Sequence, residues 1–279
     1  MSTTSHSGGY DILSVDAVEE RFGIEICLYE QDSGTAHMRM PISVWRNQLT
    51  GAATIGPLPL LVDDSGSTVA YALRGDGWPV TSELNIQLRH DALATLERSA
   101  GDYLQSQVHA VDVNHHGALA ACRLTVGDNL IGTATVRAVF INGGLLDYLQ
   151  PSETLTNKSE RSLAELMAAT AAPTDDGTQI LMQRPDPMIF NASSNVHGGV
   201  AAMGLEIVGS AAILDACGPG YWTGSLQVNY PRPFVAGPTS RYVGELMRRG
   251  STVAVAEAQA LGDNGKTAVT ARLTAYREL

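Results

Sequence analysis

Residues 83–92 read ELNIQLRHDA and residues 225–234 read SLQVNYPRPF, and both alternate apolar and polar side chains with the period of two that a half-buried strand requires. The two stretches belong to an internal repeat, which decides the architecture before any local reading does. After the first, His115-His116-Gly117-Ala118 leads through a strand-like run to Gly127-Asp128-Asn129 and the alternating TATVRAVFI. After the second, Arg248-Arg249-Gly250-Ser251 leads through a similar run to Gly262-Asp263-Asn264-Gly265 and TAVTARLTAY. Asn, Asp and Gly tolerate positive φ, so each Gly-Asp-Asn predicts a hairpin turn.

Working outward, a small-residue apolar stretch precedes the strands in each half. In the second half it is HGGVAAMGLEIVGSAAILDA, a predicted helix stopped by Cys217-Gly218-Pro219-Gly220. In the first half the counterpart is TIGPLPLLVDDSGSTVAYAL, ending near Gly75 to Gly77. One helix followed by several antiparallel strands, twice over, predicts an α+β tandem. The two domains are residues 1–150 and residues 151–279, with the boundary near Gln150. Within residues 147–177, SERSLAELMAAT reads as a linker helix capped at Ser159 or a neighbour, and AAPTDDG as a loop. Residues 25–41 read as one long first strand bent at Asp32-Ser33-Gly34.

A chain of 279 residues, 44% hydrophobic and 17% charged, has the balance of a globular protein. No apolar run approaches the roughly 18 to 20 residues of a membrane span and the first residues lack a signal-peptide pattern, so the expected location is cytoplasmic. Cys27, Cys122 and Cys217 lie far apart, outside any metal-ligand spacing, and read as reduced core thiols. The net charge of −11 opposes attraction to nucleic acid. An anionic ligand would need a local cluster such as Arg232, Arg241, Arg248 and Arg249; as solvated arginines they are equally well explained. His115 and His116 sit at a predicted turn and read as solvated residues. There is no G-x-S-x-G elbow, P-loop or G-x-G-x-x-G fingerprint.

From residue 191 the chain reads N-A-S-S-N-V-H-G-G-V-A-A-M-G-L-E-I-V-G-S. This resembles the hotdog-fold thioesterases of the phenylacetate-pathway and 4-hydroxybenzoyl-CoA type. In that family an Asn or Gln stands six residues before His-Gly-Gly and an acid nine residues after the His, matched by Asn191, His197, Gly198, Gly199 and Glu206. Ser210 matches a Ser or Thr one turn beyond the acid, and Tyr230, Arg232 and Pro233 match a Tyr-x-Arg-Pro strand end. The resemblance implies a double hotdog, each half a long central helix wrapped by an antiparallel sheet. It also implies hydrolysis of an acyl-CoA thioester to free acid and CoA, with no metal or redox cofactor. The parent architecture often builds symmetric homo-oligomers. A non-catalytic acyl-CoA or lipid-binding protein and a hotdog hydratase or dehydratase are the other readings.

Elementary chemistry supplies roles. A glycine pair opening a helix leaves amides unpaired at its positive end, so the Gly198 N–H is the candidate oxyanion donor and Gly199 lets substrate approach. Glu206 would act as general base or nucleophile, and an exposed helix Glu is its plain alternative. Asn191 would orient water or substrate, or simply form a turn; His197 reads as a residue of the catalytic loop that shapes it by hydrogen bonding, with a general base as the alternative; Ser210 would hold the acid or a water, or be a small helix residue. Aligning Gly56 with Gly199 places Gln48, Thr54, Asp63 and Ser67 against Asn191, His197, Glu206 and Ser210. An amide and an acid are thus retained although His-Gly-Gly is lost; Pro57 and Pro59 are expected to distort the helix start and the carbonyl site beside them, and the plain alternative for Asp63 and Asp64 is to cap a late-starting helix. In related hotdog dimers the loop of one subunit faces the acid of the other. Carried over, this would pair Asn191 and Gly198 with Asp63 and Ser67, and leave Glu206 and Ser210 to the loop of Gln48 and Gly56.

Overall fold

The alternating runs become strands whose apolar residues face one side, with Leu84, Ile86, Leu226 and Val228 fully buried. A computed structural model describes residues 17–75, 77–142, 151–174 and 176–277. The expected boundary near Gln150 lies outside these residues.

The first half begins with a short helix, α1 (Ala17–Phe22), and continues with β1 (Glu25–Glu30), β2 (Thr35–Pro41), α2 (Leu58–Leu73), β3 (Trp78–Leu88), α3 (Ala92–Arg98), β4 (Tyr103–Asn114), β5 (Gly117–Val126) and β6 (Asn129–Ile141). The second half follows with α4 (Leu163–Leu166), β7 (Ala169–Ala172), β8 (Gln179–Gln183), α5 (Gly198–Cys217), β9 (Tyr221–Asn229), β10 (Arg241–Arg249), β11 (Val253–Leu261) and β12 (Thr267–Arg277). Among the described residues the strands form one sheet of twelve, in the order β1-β2-β4-β5-β6-β3-β9-β12-β11-β10-β8-β7. Reading outward from its centre, each strand meets its repeat counterpart at the same distance. The central pair is β3 with β9, antiparallel, with Asn85 opposite Gln227. The repeat that pairs Glu83 with Ser225 also maps Asn85 onto Gln227, so the local two-fold axis passes through that pair.

Helices α2 and α5 lie against the same face of the sheet and against each other. Their approach is close: a β-carbon on Gly199 would fall 2.7 Å from the Leu60 α-carbon. Helix α5 is buried nearly all round and so carries no amphipathic stripe. By length and composition it could cross a membrane, with mean hydropathy 1.7 over its best window, contrary to the expectation that no run comes close. However, 72% of that window is buried inside the fold, where α5 serves as a core helix.

Several expectations are corrected. Residues 25–41 are two strands of a hairpin: Gly34, at φ 60°, turns the chain back so that Glu30 pairs with Thr35. The linker helix shrinks to the four residues of α4, capped by Ser162 in a capping box with Glu165, because ATAA is drawn into the sheet as β7. Helix α2 starts early at Leu58; Pro57 precedes it and Pro59 sits in its first turn, where a missing N–H costs no helical bond. Asp63 and Asp64 are therefore residues inside the helix and not its cap. Of the cysteines only Cys122 is buried; Cys27 is exposed and Cys217 half-buried, and all three are free. His115 and His116 lie in the exposed β4–β5 turn, as expected.

Candidate active site

The early start of α2 places Asp63 on its second turn, facing the protein interior with 2% exposure. A buried carboxylate needs hydrogen bonds to offset its lost hydration. Thr81 Oγ1 donates to Asp63 Oδ1 at 2.7 Å, and Ser67 Oγ lies 3.4 Å from the same threonine oxygen. Strict alternation from Leu84 and Ile86 would turn Ser82 inward and Thr81 outward. The pairing of β3 with β6 slips between Thr81 and Glu83, and this bulge changes the phase and aims Thr81 at the carboxylate.

The loop before α5 supplies the other wall. Asn191 Oδ1 accepts the Ser193 and Asn195 N–H groups at 3.0 and 3.2 Å, and Phe190 bridges to Val196, closing a tight turn. His197 caps α5: its Nδ1 accepts the Gly199 N–H at 3.2 Å. The 3.6 Å distance of that nitrogen from Asp63 Oδ2 is proximity without a hydrogen bond. Asp63 Oδ2 instead faces Gly198, where an added β-carbon would come within 2.8 Å of it. The Gly198 N–H belongs to the first helical turn, whose amides have no acceptor within the helix, and is a ready donor. Tyr230 O–H donates to the Gly198 carbonyl at 3.1 Å. Burial, aided by the nearby Asp63 carboxylate, pushes the Tyr230 phenol well above its ordinary pKa. His197 and Gly198 from the second half thus meet Asp63 from the first, while Asn191 stays within its own turn, Gly199 packs on Leu60 and Ser67 reaches Thr81.

Across the local two-fold axis the counterpart is built differently. Glu206, 1% exposed, accepts Thr54 Oγ1 at 2.5 Å, and burial pushes its pKa up to about 7 against the pull of hydrogen bonds from Thr54 and Ser210. Thr54 stands in the place of His197 and likewise caps its loop, accepting the Gly56 N–H at 3.0 Å. Ile55, 2% exposed, fills the place of Gly198. The equivalence of Gln48 with Asn191 is off by one: Asn47 occupies that place. Asn47 N–H bonds to Ala52 O as Asn191 N–H bonds to Asn195 O, both at 2.8 Å. The bridges from Arg46 to Ala53 and from Phe190 to Val196 span seven and six positions, so the first-half loop is one residue longer. Asn47 Nδ2 reaches α5, donating to Ile207 O at 2.8 Å and Ser210 Oγ at 3.0 Å. The buried amide of Gln48 finds no hydrogen-bond partner among the described residues.

Sequence reasoning missed Thr81 and Asn47. A hydroxyl brought inward by a bulge leaves no periodic trace; for Asn47, an Asn followed by Thr50-Gly51 was a usable turn signal. Arg232 is exposed and donates to Thr267 O at 3.0 Å. Arg241 and the pair Arg248 and Arg249 occupy opposite ends of β10, roughly 20–25 Å apart, so the four arginines do not form one cluster.

No protein-family model and no curated protein matches the sequence. Solved structures match over nearly its whole length. The tesB protein of Mycobacterium avium subsp. paratuberculosis superposes with a TM-score of 0.66 at 12% identity, covering 94% of this chain and 98% of its own. The acyl-CoA thioesterase II TesB2 of Mycobacterium marinum gives 0.55 at 10% identity, with 94% and 98% covered. The 12:0-ACP thioesterase of Umbellularia californica gives 0.57 at 10% identity, with 88% and 95% covered. Likeness at such low identity speaks for the fold: the chain has the hotdog fold that these thioesterases share.

Proposed function

We propose that the protein is an acyl-CoA thioesterase, a double hotdog of domains 1–150 and 151–279 whose working site joins Asp63 to the loop ending at Gly198. The observation that carries this reading is the Asp63 Oδ2 oxygen aimed at Gly198, at the open end of a helix. The thioester carbonyl oxygen accepts the Gly198 N–H. Asp63 then takes a proton from a water whose oxygen attacks the carbonyl carbon, and the negative charge that develops is held by the amide. Collapse breaks the C–S bond, and the CoA sulfur leaves with the proton that Asp63 took up. In the alternative route Asp63 itself attacks and water cleaves the resulting anhydride. Thr81 holds the carboxylate with Ser67 behind it, while Asn191 and His197 hold the loop. The scheme uses no metal or redox cofactor.

The counterpart around Glu206 is read as a closed remnant, because Ile55 fills the substrate side and Thr54 occupies the acid. The test is release of free thiol from a panel of acyl-CoAs by the wild-type chain and by Asp63→Asn. Release that is abolished by the substitution supports the proposal; equal release by both overturns the assignment. The near-complete burial of both acids favours a second reading, a binding protein without turnover. That reading predicts saturable acyl-CoA binding and no thiol release.

A further inference from the structure

We infer that Tyr230 is a positioning residue of this site, setting the distance between the Gly198 amide and the Asp63 carboxylate through its hydroxyl. The inference rests on the reading of Asp63 and Gly198 as the reacting pair.

Tyr230 is tied at both ends. Its backbone N–H donates to Ser82 O at 3.0 Å, on the strand of the other half and at the bulge that aims Thr81. Its hydroxyl donates to Gly198 O at 3.1 Å. Asp63, Thr81, Ser82, Tyr230 and Gly198 thereby close a loop of contacts across the seam between halves. The donor at one end of the site and the base at the other are referenced to the same stretch of β3. The phenol keeps its proton because burial and the Asp63 carboxylate both oppose ionisation, so the tie to Gly198 is permanent across the working pH range.

The repeat offers an internal control. The offset that maps Asn85 onto Gln227 maps Leu88 onto Tyr230, and the first half therefore has no hydroxyl at this position. The phenol is present only where the glycine that admits substrate is also present. Packing alone would be served by either side chain, since both are partly buried against the core.

Tyr230→Phe keeps the ring and removes the tie. For the full chain, thiol release from an acyl-CoA should lose about 10- to 10²-fold in kcat with KM changed by less than about threefold, the split expected when only transition-state alignment is lost. Leu88→Ala should lower the melting temperature and leave kcat alone. Amide hydrogen exchange over residues 196–203 should quicken in Tyr230→Phe. A variant with wild-type kcat, or one whose loss matches a fall in thermal stability with unchanged exchange, overturns the positioning role. If the wild-type chain releases no thiol the thioesterase reading fails, and the exchange measurement alone then decides whether Tyr230 pins the first turn of α5.

Discussion

A β-carbon on Gly198 would stand 2.8 Å from Asp63 Oδ2, closer than real side chains approach, so the glycine from one half and the acid from the other share space that neither can give up. Gly198→Ala should therefore push the carboxylate aside and lower thiol release by about 10²-fold, the scale of losing one oxyanion donor or its alignment. Steady-state kinetics of the variant check this. Unaltered kcat and KM would remove Gly198 from the site.

The two acids should differ in cost. Asp63→Ala is expected to lower turnover by about 10²- to 10⁴-fold, as for loss of a general base or nucleophile. Glu206→Gln, which keeps an acceptor for Thr54, should leave turnover within a few fold. The reverse ranking in thiol release would assign the work to Glu206.

The wiring between halves can be read from coupling. Asn191→Ala and Asp63→Ala should be strongly non-additive in kcat/KM, since the turn that Asn191 closes leads to the glycine facing Asp63. Asn191→Ala and Glu206→Ala should add within about 0.5 kcal/mol. A double-mutant cycle showing the opposite would mean that each half builds its own site.

Glu206 also makes a pH-dependent contribution. Its folded pKa is raised from 4.5 to about 7, so the folded chain keeps a proton that the unfolded chain has lost between those values. Stability is then fully present below about 4.5, falls as pH rises through about 7, and levels off above. Glu206→Gln does not titrate, and should gain on the parent across this window by up to about 3 kcal/mol. Urea unfolding of both proteins at pH values on either side of the window measures the difference; parallel curves would contradict the shift.

Arg21 ties the start of the chain to the second half. It is fully buried, with Nε and Nη2 on Glu153 at 2.6 and 2.8 Å and Nη1 on Asp186 at 3.0 Å. Arg21→Ala leaves two carboxylates in place without their cation and should cost about 3–5 kcal/mol in unfolding free energy. A loss below about 1 kcal/mol in chemical denaturation would show that water readily replaces the guanidinium.

The repeat, both central helices and the Gly-Asp-Asn hairpins were legible because period and turn chemistry are local properties of the chain. The hairpin at Gly34 was not, since a turn and a bend have the same composition there, and only the antiparallel pairing of β1 with β2 shows that the chain reverses. The ATAA segment reads as helix by propensity, yet the edge of the sheet recruits it. At the site, the motif around Gly198 was plain, and so was an acid at Asp63. The Gln48 assignment failed because an ungapped comparison cannot see the extra residue between Arg46 and Ala53. Thr81 stayed hidden because its direction depends on a bulge, a property of two strands and not of one.

The Asn85–Gln227 pair marks an axis that joins two sequences no longer alike. In an assembly of identical subunits every substitution is made twice, so a change that harms one cleft harms both. Where the two copies are a single polypeptide, inheritance acts on each separately. One cleft can lose its glycine to isoleucine and its histidine to threonine while the other keeps both. The loop of one half can then change freely while its helix still supplies the acid that the proposed cleft uses.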